Sequence, residues 1–244
     1  MCGRYASSKE PAQLAEEFGA TEPPKVQLAP DYNIAPTKQV YAVLDRVRDA
    51  DPARLLAAVT WGLVPSWAKD RSIGSRMINA RLETAATKPS FRAAWAKRRA
   101  LLPADGYYEW HTPSDGPTNA RGKPIKQPYF IHRSDGGTMA MAGLYEIWRD
   151  PSVSDADDPA AWLWTATVLT TTATDALGRI HDRMPIHVAH EQWGAWLDPG
   201  FGGDPGSLLD PAATAHELTA YPVATLVNAV RNNGPHLLDP LPAS

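Results

Sequence analysis

One cysteine in 244 residues is the scarcest feature of this chain. A lone thiol excludes an internal disulfide framework and any zinc site built on cysteines. Positive charge is short as well: 24 Lys and Arg against 27 Asp and Glu leave a net charge of −3. The chain as a whole therefore does not attract nucleic acid, and any such binding has to rest on a local basic patch. No stretch approaches the roughly 20 apolar residues of a membrane helix. The opening residues lack a basic segment followed by an apolar run, so no secretory signal is expected and the chain is read as cytoplasmic.

What is present is a core-forming composition, 43% hydrophobic, with 23 prolines that favour turns and irregular connections over a helix bundle. The length fits one large domain or two small ones. No repeat and no dividing linker is visible, so one domain is expected over residues 1–244. Strands are predicted over Val40 to Leu44, Arg54 to Val64 and Ala100 to Thr112, and over "PYFIHR", "TMAMAGLYEIWR" and "WLWTATVLTT". All are rich in β-branched and aromatic residues between turn signals. Loops are expected at "SDGPTNARGKP" and at the acidic "DPSVSDADDPAA". Three short helices are predicted: "SSKEPAQLAEEFG" with a Ser cap, an early Pro and a closing Gly, then "KPSFRAAWAKRR" and "HEQWGAWLDP". The predicted class is α+β, a single domain with an antiparallel, barrel-like sheet and a few short flanking helices.

The lone cysteine is the second residue, in "MCGRYA". Methionine is commonly trimmed when the next side chain is small. Trimming here leaves Cys2 with a free α-amine two carbons from its own thiol, a 1,2-aminothiol. Such a pair condenses with an aldehyde to an imine, which the sulfur closes to a five-membered thiazolidine. An α-amine pKa of about 7.7–8.0 and a thiol pKa of about 8.5 leave both groups usable near neutrality. Two plainer readings compete, an inert start residue and an ordinary thiol nucleophile. "MCG" also opens the N-terminal-nucleophile amidotransferases, in which a processed cysteine attacks a glutamine amide.

Other segments carry side chains suited to proton transfer. Glu109 in "GYYEW" lies among Tyr107, Tyr108 and Trp110, and a carboxylate in apolar surroundings has a raised pKa and serves as both acid and base. Its alternative is the solvent side of a strand. His181 in "GRIHDRMP" is one of seven histidines, most of which are structural or exposed in a typical chain. His187 and His190 form an H-x-x-H pair with no evident third ligand, so no metal and no cofactor are predicted.

Taken in order, "MCGRYA", "DYNIAPT", "WGLVPSW", "INARLET", "DGYYEW", "IHDRMP" and "VNAVRNNGP" resemble the SRAP family, the abasic-site processing proteins. The resemblance runs from Cys2 to about Pro235. It implies that Cys2 crosslinks covalently to abasic sites in single-stranded DNA, with single-strand/double-strand junctions as a possible setting. Glu109 then matches the family's catalytic glutamate and His181 its active-site histidine, while Asn79 matches the asparagine that orients the sugar. Arg4 and Arg81 are expected on phosphates beside the lesion. Asn33, Pro36 and Trp67 resemble DNA-facing loop elements, with Trp67 stacking on a base or wedging a junction. Ala68 follows Trp67 where some relatives carry a second aromatic, and Trp61 is expected inside. Arg76, Arg183, Arg231 and the run Lys97–Arg98–Arg99 flank these motifs as further candidates for a basic groove.

Two readings of other classes stand beside this one. A glutamine amidotransferase usually carries a synthase partner domain, for which this chain has no room. A non-covalent single-strand-binding module would need only the groove and the aromatics, and would tolerate Cys2→Ala. Nothing in the sequence suggests more than a monomer.

Overall fold

The computed structural model describes residues 2–21, 24–48, 51–113, 117–155 and 157–242. Met1, whose removal the aminothiol chemistry requires, lies outside them, as do parts of both predicted loops (114–116 and 156). The chain forms β1 (Tyr5–Ser7), β2 (Asp31–Ile34), β3 (Gln39–Arg48), β4 (Asp51–Trp61), β5 (Asn79–Arg81) and β6 (Arg99–Ala104). It continues with β7 (Gly106–His111), β8 (Gln127–Arg133), β9 (Met139–Arg149), β10 (Trp162–Thr172), β11 (Arg183–Pro185) and β12 (Leu218–Pro222).

Five of these strands close on themselves. β3 and β4 form a long antiparallel hairpin from Gln39↔Thr60 to Arg48↔Asp51. β6 joins β3 at Val43↔Leu101, β9 runs against β6, and β10 runs against β9. The ring closes where β10 meets β4 in parallel, at Thr165↔Thr60 and Ala166↔Trp61. β5 and β11 extend β10 on its free length. The expected antiparallel barrel is present, with that one parallel seam. The other strands form a second sheet in the order β12-β8-β7-β1-β2, antiparallel throughout.

Side chains alternate across a strand, and the barrel strands sort into two buried sets. Tyr41, Val43, Leu101, Ala142 and Leu144 pack with Leu14, Phe18, Trp95 and Trp196 from the helices. Helices cannot enter a five-stranded barrel, so this is its outer face. Ala42, Leu44, Leu102, Met141 and Val168 fill the inside, together with Cys2, Tyr5 and Tyr107 from the second sheet. That sheet thus plugs one end of the barrel and carries the cysteine with it.

Two expectations need correction. The single strand predicted over Ala100 to Thr112 is two strands in different sheets, β6 and β7. The break falls at Asp105, whose N–H donates to the Ala6 carbonyl at 2.8 Å. Gly106 permits it, because a Cβ there would lie 2.4 Å from the Ile131 carbonyl oxygen. The first helix, Pro11–Phe18, is capped by Glu10 and not by a serine. Pro11 fixes the first helical position, and Gln13 Oε1 accepts the Glu10 N–H at 3.3 Å. The other two predicted helices form as Arg92–Lys97 and Trp193–Leu197. Among the described residues no helix is long and apolar enough to cross a membrane.

Candidate active site

The site is assembled by strand pairing. β1 lies between β2 and β7, with Tyr5 opposite both Ile34 and Tyr107, and the Arg4 carbonyl accepts the Tyr108 N–H at 2.9 Å. This pins the first residues and leaves Cys2 fully buried at the mouth of the barrel. Alternation along β7 sends Tyr107 and Glu109 toward the same interior, while Tyr108 and Trp110 pack on the opposite face. Asn79 is set by the parallel pairing of β5 with Val168 of β10. Its Nδ2 donates to the Cys2 carbonyl at 2.7 Å, and its Oδ1 is buried with no hydrogen-bond partner among the described residues.

These groups lie close enough for their charges to act on one another. Burial pushes the Cys2 thiol far up, and the negative charge of Glu109 adds to it. Burial also raises the Glu109 carboxyl, opposed first by the positive N-terminal amine and then by His181. The Tyr107 hydroxyl is raised by burial and then by Cys2 and Glu109. A carboxyl held above its ordinary range carries a proton closer to neutrality than a surface glutamate does, so it can both give and take one.

His181 precedes β11. Its Nδ1 lies 3.1 Å from the Arg183 N–H and 2.8 Å from the Asp182 carboxylate. These two contacts fix the orientation of the ring. Asp182 was not singled out from sequence, although its position next to His181 was a usable signal. Tyr107 was legible too, as the residue two before Glu109 on a strand.

The residues expected to face DNA divide into two kinds. Trp67 is 58% exposed at the tip of its loop. That loop is anchored by Gly62 (φ 130°), where a Cβ would lie 2.5 Å from the Gly74 carbonyl oxygen. Ala68, after Trp67, is buried, and its carbonyl accepts the Trp148 indole N–H at 2.7 Å. Arg81 is exposed, with no side-chain partner among the described residues, and Pro36 is half-buried in a turn. Trp61 is inside, as expected.

Asn33, by contrast, is completely buried. Its Nδ2 donates to the carbonyls of Val227, Ala229 and Asn232 at 3.2, 3.1 and 2.9 Å. Its Oδ1 accepts from Arg4 at 2.6 Å. The side chain is therefore a bracket that holds Arg4 and the late "VNAVRNNGP" turn, so what it presents to a strand at this loop is Arg4 and the turn rather than its own amide. Arg4 also donates to the Val227 carbonyl at 2.9 Å and lies 5.8 Å from the Trp110 ring centre.

The basic run is corrected as well. Arg99 is buried on backbone carbonyls, and Arg98 pairs with Glu146 at 2.6 Å. Arg183 makes a two-pronged pair with Glu83 at 2.7 and 3.0 Å. Arg76 and Arg231 are exposed. The H-x-x-H residues are not brought together: buried His187 Nε2 lies 2.6 Å from Arg133 Nη1, while exposed His190 packs on Trp193. Among the described residues no group of three His, Cys, Asp or Glu is placed to hold a metal.

With fold and site in view, comparisons place the chain. The profile of the SOS response associated peptidase (SRAP) family matches residues 1–230. The chain therefore belongs to that family. It is 37% identical over 243 residues to the abasic site processing protein YoqW of Bacillus subtilis, covering 98% of this chain and 99% of that one. It is 31% identical over 247 residues to the abasic site processing protein YedK of Escherichia coli, covering 99% and 100%. A crystal structure of a Bacteroides thetaiotaomicron protein shares the fold, with a TM-score of 0.77 at 24% identity over 98% of this chain and 100% of that one.

Proposed function

We propose that this chain processes abasic sites in DNA by trapping the open-chain sugar aldehyde on Cys2, once Met1 has been removed. The observation that carries the reading is the placement of the only thiol. Cys2 is buried at the barrel mouth with its carbonyl held by Asn79, and the charge of Glu109 acts on its sulfur.

The chemistry balances with no cofactor. Glu109 in its protonated form gives a proton to the ring oxygen of the sugar and takes the C1′ hydroxyl proton in return, so that the ring opens to the aldehyde and the carboxyl is regenerated. The Cys2 amine adds to C1′, and the resulting carbinolamine loses one water to give an imine. The Cys2 sulfur then bonds to the same carbon and its proton passes to the nitrogen, closing a thiazolidine. Because burial keeps the sulfur protonated, this last step needs a base at hand, and the Glu109 carboxylate is suited to it. His181 belongs to the imine stage, and the Asp182 carboxylate 2.8 Å from its Nδ1 orients the ring. The unpartnered Asn79 Oδ1 suits a sugar hydroxyl.

Single-stranded DNA is the proposed substrate, since Trp67 offers a stacking face and Arg81 a free cation. The amidotransferase reading has no comparable support, and the purely non-covalent reading leaves a buried thiol under the charge of Glu109 without a use. The test is the adduct formed with an abasic single strand. Wild type gives a product that survives heating, whereas Cys2→Ser keeps an amine but no sulfur and gives a product only after borohydride reduction. A heat-stable product from Cys2→Ser contradicts the role of the thiol.

A further inference from the structure

Beside the catalytic groups lies a cavity of about 460 Å³, walled by β7, β8, β12 and the connector from Thr174 to Ile180. It is large enough for a ligand of drug or nucleotide size. His111 is its link to the chemistry. Two residues beyond Glu109 on β7, it lies on the same face of the strand, about 7 Å along it.

The wall chemistry is specific. His111 Nδ1 lies 2.9 Å from the Arg179 carbonyl oxygen, which only accepts, so Nδ1 carries the proton and Nε2 of the neutral ring is left as an acceptor. The ring stands edge-on to Tyr129, 6.4 Å between centres. Thr174 Oγ1 is buried with no hydrogen-bond partner among the described residues, and Leu218 and Ala220 supply apolar wall. Arg179 is exposed at the rim, with no side-chain partner among the described residues. Aromatic edges, apolar wall, a few hydrogen-bonding atoms and one cation at the mouth match a flat heteroaromatic ring joined to a phosphate.

We infer that this cavity receives the base of the nucleotide directly adjoining the abasic sugar on one side, with Arg179 on its phosphate. The inference rests on the reading of the chain as a trap for abasic strands. It adds that the trap measures the neighbouring base, and so favours a lesion flanked by an intact nucleotide over one in a run of lost bases.

The experiment measures adduct formation with strands in which the 5′ or the 3′ neighbour of the abasic site is replaced by a tetrahydrofuran spacer, which cannot open to an aldehyde. One spacer slows wild type about 10-fold, the order expected for one lost stacking contact, and the other has little effect. Ala220→Phe, which fills the cavity, removes the difference and reacts on every strand at the rate wild type shows on the slow one. No dependence on either neighbour, equal dependence on both, or full dependence retained in Ala220→Phe overturns the inference.

A second readout avoids both the variant and the covalent step. A 2-aminopurine is placed on either side of a tetrahydrofuran lesion, and its emission is followed as wild type binds. Emission changes on the side that the spacer experiment singles out. No change on either side overturns the inference even if Ala220→Phe fails to fold. If wild type forms no adduct at all, the trapping reading fails, and the emission change on one side alone still decides the cavity.

Discussion

Arg99 and Glu109 lie ten positions apart on consecutive strands, and both are charged side chains almost wholly inside the fold, 1% and 4% exposed. Their surroundings are opposite in kind. Arg99 caps two helix ends: Nε donates to the Trp196 carbonyl at 2.6 Å, and Nη1 to those of Trp95 and Ala96 at 3.0 and 2.8 Å. Nη2 donates to the Asp198 carbonyl. The charge is surrounded by fixed backbone dipoles at helix C-termini, where a cation belongs. Glu109 has burial acting against its charge, close enough to the Cys2 thiol and to His181 for their charges to act on one another. One buried charge is matched by fixed dipoles that keep it charged, and the other is buried so that its proton is retained to higher pH.

The contrast yields predictions in order of size. Glu109→Gln keeps the shape but cannot shuttle a proton, and adduct formation should slow by about 10²–10⁴-fold in single-turnover kinetics. A rate within threefold of wild type would move the acid–base role elsewhere. Arg99→Met should leave that rate intact at low temperature but lower stability by about 3–5 kcal/mol in denaturant unfolding, because buried carbonyls lose their donor. A loss below 1 kcal/mol would show that the fold does not depend on this cap.

A subtler outcome concerns pH. The folded pKa of Glu109 lies above its unfolded value, so the folded state binds the proton more tightly. The associated stability is fully present below the ordinary carboxylate pKa and is lost as pH rises through the raised one. Thermal unfolding should therefore show Glu109→Gln gaining on wild type between acid and neutral pH, with no gain at the acid end. A constant difference across pH would mean the carboxyl is not perturbed. The smallest effect is expected at the surface. Arg81→Ala should reduce the salt dependence of DNA binding by about one unit of log–log slope, while Arg183→Ala, whose guanidinium is held by Glu83, should leave that slope unchanged.

The same pair marks how far the sequence could be read. Strand content and the barrel were legible because β-branched and aromatic runs alternate along β3, β4, β9 and β10. Cys2, Asn79, Glu109 and His181 stood in recognisable motifs, and the fold draws Cys2, Asn79 and Glu109 to one barrel mouth with the charge of His181 acting on Glu109. The break at Asp105 was not legible, because it depends on a close pass of Gly106 against β8 that no local pattern records. Nor was the fate of the basic run. Arg98 and Arg99 read as surface charge until the fold brings Glu146 to one and two helix ends to the other. Asn33 shows the same limit. Its motif marked it as important, but only tertiary contacts nearly 200 residues away show that it holds Arg4 and does not face solvent.

The central claim is that amine and thiol of Cys2 act together on one aldehyde carbon. The intact mass of the purified protein, taken before and after incubation with an abasic single strand, tests it most directly. The expected chain begins at Cys2, and the expected product is heavier by the mass of the strand less one water. Full crosslinking by a chain that still carries Met1 would contradict it.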